Sequence, residues 1–230
     1  MTEPRGRGRP PGRTSRGDEA RRRLYEVAIA QIAEHGYEAT TLRGIASAAG
    51  VSPGLLYRYF PSKGAVVLAL YDELSSAYAD QARQIPPGPW TDRARFALET
   101  SLSVLHRHQT ALAALVPVLV NGGQEGLFAE RTAFSRRRVQ PVFVEAVVGA
   151  TDAPEADLAT ALGRLLYLAH LGVVLWWLLD RSPDQRATVG LRALIGRLMP
   201  LGAFVVRLPG MSELLVVADE LARDALLGED

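Results

Sequence analysis

The chain has 230 residues, of which 48% are hydrophobic and 22% are charged, as expected for one ordinary soluble domain or for one domain with a small appendage. It contains no cysteine, which excludes disulfide scaffolds, zinc–thiolate sites, iron–sulfur clusters and thiol nucleophiles. Residues 1–63 carry eleven basic and six acidic side chains and a net charge of +5, whereas the remainder carries −4. The N-terminal part alone should therefore attract polyanions.

No targeting or membrane-spanning segment is predicted. The basic start of the chain lacks the apolar stretch of a secretory signal. The longest uncharged apolar run, Leu165–Leu179, has 15 residues, whereas a membrane span needs about 20. We therefore expect a soluble, cytoplasmic protein without a membrane partner.

The chain begins with a stretch rich in glycine, proline and arginine, and we predict a flexible basic arm over residues 1–17. Within it, Arg7-Gly8-Arg9-Pro10 is identical to the core of an AT-hook, whose arginines lie in a narrow A·T-rich minor groove. The alternative is a disordered tail that contributes only sequence-independent electrostatic attraction. The sequence leaves both interpretations of Arg7 and Arg9 open.

Three short helices are predicted next, over residues 18–36, 40–50 and 52–60. Apolar residues four apart, from Leu24 to Ile32, give the first helix its buried face, and a glycine ends each of the first two helices. Each helix is preceded by a residue of the type that caps a helix N-terminus, namely Asp18, Thr41 and Ser52.

The second and third of these helices have the spacing of a helix-turn-helix. Ala46 lies four residues before Gly50, so a small side chain allows the helices to cross closely and a glycine adopts the left-handed turn. Leu56 is expected to pack between them. In such a unit the second helix enters the major groove of DNA. The pattern alone is weak evidence for a DNA-binding unit, because many helical proteins contain a glycine between short helices.

The surrounding residues strengthen the prediction of a helix-turn-helix, because they resemble a known family. The segment Gly36-Tyr-Glu-Ala-Thr-Thr-Leu-Arg-Gly-Ile-Ala-Ser-Ala-Ala-Gly-Val-Ser-Pro-Gly-Leu-Leu-Tyr-Arg-Tyr-Phe-Pro-Ser-Lys63 resembles the DNA-binding domain of TetR-family transcriptional regulators. The match covers about residues 24–70 without a gap. It implies a three-helix DNA-binding domain at residues 18–65 and a helical effector-binding and dimerisation domain at residues 66–230.

The resemblance also implies which residues touch DNA. Arg43 falls where family members often read a base, and arginine suits bidentate contact with guanine. Thr41 and Lys63 would bind phosphates, and Tyr57 and Tyr59 would touch the DNA backbone. The alternative is that the tyrosines are core aromatics and Lys63 a solvated charge. The full predicted set is Thr41, Arg43, Ser52, Pro53, Gly54, Leu55, Tyr57, Tyr59 and Lys63.

The rest of the chain lacks the alternating β-branched runs of strands, so the predicted fold class is all-α. A long fourth helix should run from Lys63 to about Arg83. The later helices are predicted at residues 91–108, 110–120, 127–148, 155–179, 184–199 and 212–227, with Pro117 kinking or ending the second of them.

The helix over residues 155–179 carries apolar residues at alternating spacings of four and three, as in helical bundles. Together with the following helix it is a candidate for a symmetric four-helix dimer interface, as in the resembled family. The alternative is a core helix of a single chain. The predicted interface residues are Leu162, Leu165, Ala169, Gly172, Ile195 and Leu198.

A small, largely apolar effector is expected in the same half of the chain, because apolar cavities with few polar groups suit small ligands. The candidate residues are aromatic or histidine side chains, although each of them is equally compatible with a core position. They are His106, Phe128, Tyr167, His170, Trp176 and Trp177. Arg136-Arg137-Arg138 is interpreted as a solvated helical face.

An enzyme is disfavoured, because the sequence has no metal-ligand spacing, no nucleophile elbow and no phosphate-binding loop. We expect no cofactor and no metal. The favoured function is a dimeric, ligand-responsive regulator that binds an inverted-repeat operator in double-stranded DNA; repression is expected because it is common in the resembled family. The alternative is an architectural DNA-binding protein without an effector.

Overall fold

The computed structural model describes residues 15–121 and 123–227, and every regular element within these ranges is a helix, which confirms the all-α class. The chain divides between Val66 and Val67 into two compact units. We call the unit up to Val66 the head and the unit from Val67 the body.

The head contains α1 (Ser15–His35), α2 (Leu42–Ala48), α3 (Pro53–Tyr59) and the start of α4 (Lys63–Ala82). Its core is formed by the apolar faces predicted from the sequence, including Leu24, Ile32, Ile45, Leu56 and Phe60, all nearly inaccessible to solvent. The turns between helices are made by Gly36 and Gly50, whose φ angles of 84° and 65° favour glycine over any residue with a Cβ.

The start of α1 differs from the prediction. The helix begins at Ser15, so Ser15–Gly17 belong to α1 and not to the arm. Asp18, predicted as the cap, lies instead in the first turn, where a carboxylate is stabilised by the positive end of the helix dipole. The remainder of the predicted arm, including Arg7 and Arg9, lies outside the described residues.

Within its described residues, the body contains the rest of α4 and seven further α-helices. These are α5 (Trp90–His106), α6 (Gln109–Ala114), α7 (Val116–Val120), α8 (Ala133–Val148), α9 (Ala156–Leu179), α10 (Arg186–Val205) and α11 (Met211–Ala222). Short 3-10 helices at Glu130–Thr132 and Pro183–Gln185 precede α8 and α10, and a π turn at Arg223–Leu227 follows α11.

Helix α9 lies at the centre of the body and packs on both α8 and α11. Its approach to α8 depends on Gly163, because a Cβ at this position would lie 2.5 Å from the Cα of Val144. On one side of this contact Phe143 and Tyr167 form a buried cluster with Tyr78, and on the other Leu162 packs in a cluster with Trp90.

Two predicted helices have different boundaries for identifiable reasons. The helix expected at residues 127–148 begins only at Ala133, because the preceding turn is held by Thr132, whose Oγ1 donates to the carbonyl of Gly126 at 2.7 Å. The helix expected at residues 110–120 is split at Leu115, and Pro117 occupies the first turn of α7, where a missing N–H leaves no bond unmade.

The helix expected to end at Met199 continues through Pro200 to Val205. Its start is organised by Asp180, whose carboxylate accepts bonds from the Oγ1 of Thr188 at 2.6 Å and from the backbone N of Ser182 at 2.8 Å. These hydrogen bonds, that of Thr188 above all, hold the pKa of Asp180 well below its usual range.

Two segments of the described chain are long and apolar enough to cross a bilayer by length and composition, Ala156–Leu179 and Pro183–Val205. The first is 24 residues long and contains the uncharged run of 15 residues. Much of α9 is buried within the body, and the core helix of a soluble protein meets the same criterion.

Candidate functional site

The N-terminus of α3 forms an open surface on the head. The Oγ of Ser52 accepts a hydrogen bond from the backbone N of Leu55 at 3.3 Å, and Pro53 occupies the first turn. Ser52, Pro53 and Gly54 are all exposed, and no atom lies within 4 Å of the position that a Cβ of Gly54 would take. This end of the helix is therefore open to solvent.

The remaining predicted DNA contacts flank this surface. Tyr57 is 48% exposed although it is a large aromatic residue, and Arg43 is exposed on α2. Thr41 is exposed as well, and its Oγ1 caps α2 by accepting a bond from the backbone N of Gly44 at 3.0 Å. Leu55 and Tyr59 are half-buried.

Lys63 has a role that the sequence did not reveal. Its Nζ donates to the backbone carbonyl of Tyr37 at 2.7 Å and to that of Glu38 at 3.3 Å, and lies 4.3 Å from the centre of the Tyr37 ring. The ammonium thus joins the first turn of α4 to the turn between α1 and α2. Lys63 is therefore more than a solvated charge, which was the alternative to a DNA contact, and a phosphate at Lys63 would share the ammonium with these carbonyls.

The body contains a partly open cavity of about 130 Å³ that is lined by residues of α4 to α9. Most of its wall is apolar, and the polar side chains are few, as in sites for small apolar ligands. The apolar lining includes Leu74, Leu105, Leu112, Leu119, Val139, Leu171 and Leu175.

One end of the cavity carries three polar groups in an otherwise aromatic setting. The Oγ of Ser101 lies 2.7 Å from the Nε2 of His170, whose ring centre is 4.7 Å from that of Phe143. Burial lowers the pKa of His170 to about 4, against a smaller opposing effect of the backbone of Tyr167, so its ring is neutral at physiological pH. The hydroxyl of Tyr78 is buried without a hydrogen-bond partner among the described residues. Burial raises its pKa, so it remains protonated.

The other end is closed by the segment before α8. Arg136 lines the cavity and its Nη1 donates to the carbonyls of Leu127 at 3.1 Å and Ala129 at 2.8 Å. The hydroxyl of Tyr71 donates to the carbonyl of Glu125 at 3.2 Å. The interpretation of the three arginines as a solvated face is therefore wrong for Arg136, and it holds for Arg137, which is exposed.

The six predicted effector residues are distributed over different environments. Tyr167 and His170 line the cavity. His106 and Trp177 line a separate, more polar depression between α5 and α10, together with Arg192. Phe128 and Trp176 line neither and are 38% and 50% exposed. Sequence reasoning missed Tyr71 and Tyr78, although their spacing of seven residues along α4 places them on one face.

A second feature of the body is an exposed apolar face on α9, α10 and α11. Of the predicted interface residues, Ala169, Gly172 and Leu198 are exposed, and Leu165 and Ile195 are half-buried. Leu162 is buried in the core of its own unit, which corrects its assignment to an interface. The large exposed side chains of this face are Trp176, Leu179, Val189, Leu194, Leu198, Leu201, Phe204, Leu214, Val217 and Leu221.

These features define a helix-turn-helix protein of the DNA-binding class, with a helical body that contains a ligand-sized cavity. The family model for bacterial regulatory proteins of the tetR family matches residues 24–70. Residues 24–70 therefore carry the DNA-binding domain of a TetR-family transcriptional regulator. No group of three metal-ligating side chains occurs in the described part of the chain.

Similarity to curated proteins extends beyond the head. The transcriptional repressor KstR of Rhodococcus jostii is 29% identical over 171 residues, which cover 71% of this chain and 75% of the relative. KstR of Mycobacterium tuberculosis is 29% identical over 189 residues, which cover 77% and 81% respectively. Among solved structures, the regulator FadR of Bacillus subtilis in complex with stearoyl-CoA has the same fold, with a TM-score of 0.60 at 18% identity over 77% of this chain and 96% of that one.

Proposed function

We propose that the protein is a dimeric repressor that binds an inverted-repeat operator through α3 and is released by a small, largely apolar effector in the body cavity. The observation that carries the proposal is the open N-terminus of α3, at which the small exposed residues Ser52, Pro53 and Gly54 lie beside an exposed Tyr57. Repression is supported by the curated names of both KstR relatives.

DNA recognition follows from the geometry of the head. Ser52, Pro53 and Gly54 have no bulk that would keep the helix end from base edges, and the N–H groups of the first turn favour phosphate. Arg43 offers a bidentate contact to guanine, and Thr41 and Tyr57 are placed to bind the DNA backbone. Tyr59, Leu55 and Lys63 complete the contact surface, with Lys63 also holding the head together. We extend the proposal to Arg7 and Arg9 of the arm, which would add minor-groove or purely electrostatic affinity.

Dimer formation is supported by the apolar face of α9, α10 and α11. Phe204 and Leu214 are 62% and 65% exposed in the single chain, and large exposed apolar patches on soluble proteins mark interaction sites. A second copy related by a two-fold axis would bury this face against itself. Two heads would then match two half-sites about one DNA turn, ~34 Å, apart.

Effector response is supported by the cavity and by its connection along the chain. Helix α4 carries Lys63 at its first residue and Tyr71 and Tyr78 on the cavity wall. An effector that binds more tightly to a conformation in which the heads no longer fit the operator would shift the population towards it, by a coupling of ~1–3 kcal/mol. The structure of FadR in complex with stearoyl-CoA supports an effector with an apolar part.

The test is capture of fragmented genomic DNA on the purified protein at near-physiological salt, followed by sequencing. Enrichment of a few inverted repeats is expected. Uniform retention of all fragments would instead favour an architectural DNA-binding protein, and the absence of retention would contradict DNA binding by the ligand-free chain.

A further inference from the structure

The two ends of the body cavity each contain a polar group whose bonding is incomplete. Tyr78 is only 3% exposed, and its hydroxyl has no hydrogen-bond partner among the described residues. Leaving such a group unpaired is costly, so a buried hydroxyl on a cavity wall points to a ligand atom that pairs with it.

At the opposite end of the cavity, the guanidinium of Arg136 has hydrogen-bond donors that are not fully used. Among the described residues, only its Nη1 makes hydrogen bonds, to the carbonyls of Leu127 and Ala129 and to the Oγ1 of Thr132 at 3.3 Å. No carboxylate in the described part of the chain pairs with its charge, whereas the nearby Arg138 is paired with Asp72 at 2.6 Å. The Nε and Nη2 edge of a guanidinium is suited to bidentate contact with a carboxylate.

The separation of these two groups follows from how α4 and α8 run side by side. Arg138 bonds to Asp72 near one end of the pair, and the rings of Tyr78 and Phe143 stack at 6.4 Å near the other. The helices therefore run in the same direction, and Arg136 is level with Tyr71. Seven residues separate this level from that of Tyr78, a distance of about 10 Å along the helix axes.

We propose that the cavity binds an apolar carboxylic acid whose carboxylate is held by Arg136 and whose far end carries an oxygen hydrogen-bonded to the hydroxyl of Tyr78. This inference rests on the proposed function, since it names the chemical class of the effector. The apolar wall between the two ends holds the hydrocarbon part. The volume of about 130 Å³ is close to the ~150 Å³ that accommodates a benzene ring, so the ligand carries at most one ring, and a short acid chain must extend towards the open side of the cavity.

The experiment uses three probes on the full-length protein, titrated by calorimetry: para-hydroxyphenylbutanoate, phenylbutanoate, which lacks the oxygen, and the methyl ester of para-hydroxyphenylbutanoate, which lacks the charge. We expect the first probe to bind about tenfold more tightly than the second, which leaves the Tyr78 hydroxyl unpaired. The ester should bind at least tenfold more weakly than the acid.

Substitutions of Tyr78 and Arg136 test which residue causes each difference in affinity between the probes. Tyr78→Phe should abolish the preference for the hydroxylated probe and leave the acid–ester difference intact, and it preserves the fold because the hydroxyl has no partner to lose. Arg136→Gln should abolish the acid–ester difference. Arg137→Gln, which removes an exposed charge from the adjacent position on α8, is the matched control and should change neither.

Failure of this inference is distinguishable from failure of the proposed function. Equal affinity for the three probes, binding of none of them, or a hydroxyl preference that persists in Tyr78→Phe would overturn the ligand class. Genomic DNA capture by the ligand-free protein is independent of these results. If operator fragments are retained but the three probes bind equally, the proposed regulator is supported and only this effector class is overturned. If the probes are discriminated but no operator fragment is retained, only the proposed regulator is overturned.

Discussion

The side chains of Ser101 on α5 and His170 on α9 lie 2.7 Å apart inside the body, and both are at most 5% exposed. Because burial keeps His170 neutral, one ring nitrogen carries a proton and the other accepts. Nε2 faces the Ser101 hydroxyl, and Nδ1 is buried without a hydrogen-bond partner among the described residues. This pair joins two helices of the cavity wall through a group that resists protonation.

A pH dependence of stability follows. The pKa of His170 falls from 6.5 to about 4 on folding, so between these values the unfolded chain binds a proton that the folded chain does not. The contribution of His170 to the free energy of unfolding is therefore complete above pH 6.5 and declines as the pH falls towards 4, by about 3 kcal/mol at most. Urea unfolding at several pH values measures it. His170→Gln should remove this part of the pH dependence, and an unchanged slope in that variant would contradict the assignment.

The open end of α3 predicts that Tyr57→Ala weakens operator binding at least tenfold. Because Tyr57 is half-exposed, its truncation removes little core packing and should leave the melting temperature nearly unchanged. Arg43→Ala should relax discrimination at one base pair, by about 1–3 kcal/mol. Fluorescence anisotropy with a captured operator gives both values. Arg95→Ala, at an exposed arginine of the body, is the control, and equal affinities in all three variants would remove these residues from the interface.

Lys63 should behave differently from Tyr57. Its bonds to the carbonyls of Tyr37 and Glu38 predict that Lys63→Ala lowers the free energy of unfolding by about 1–3 kcal/mol in addition to weakening DNA binding. Thermal denaturation followed by circular dichroism measures the first effect. A variant with normal stability but reduced affinity would indicate that the ammonium acts on phosphate alone.

The apolar face of the body predicts that Phe204→Asp dissociates the dimer. A charge in the centre of an apolar interface is left unpaired and desolvated, so the association constant should fall by several orders of magnitude. Analytical ultracentrifugation without detergent gives the mass directly. Val120→Asp changes an equally exposed apolar residue outside this face and should remain dimeric. A wild-type monomer at micromolar concentration would rule out the dimer, and precipitation without detergent would favour a lipid partner for the same face.

Deletion of residues 1–14 should reduce the salt dependence of DNA binding without affecting α1, which begins at Ser15. The deleted segment contains four arginines. If all of them contact phosphates, the slope of log affinity against log salt should decrease by about 3–4. Titrations at several salt concentrations provide the slope, and identical slopes would show that the arm does not contact DNA.

The head could be predicted from the sequence in most respects, because its contacts are local. Thr41 and Ser52 cap helices that begin at the next residue, and Gly36 and Gly50 adopt the positive φ angles that their turns require. The apolar residues of α1 and α3 are buried at the predicted spacing. These features depend on residues that are only a few positions apart, so they can be predicted from the sequence.

The body was less predictable, because its features depend on which helices become neighbours. A stripe of apolar residues on α9 does not distinguish an internal contact from an interface, and only packing placed Leu162 in the core and left Leu198 exposed. Similarly, Arg136 and Tyr78 are 58 positions apart in sequence, and Ser101 and His170 are 69 apart. The sequence by itself determined the helical class, the turns and the DNA-reading segment. The composition of the cavity was decided by tertiary packing, because a cavity wall is made of residues that meet only when distant helices pack together.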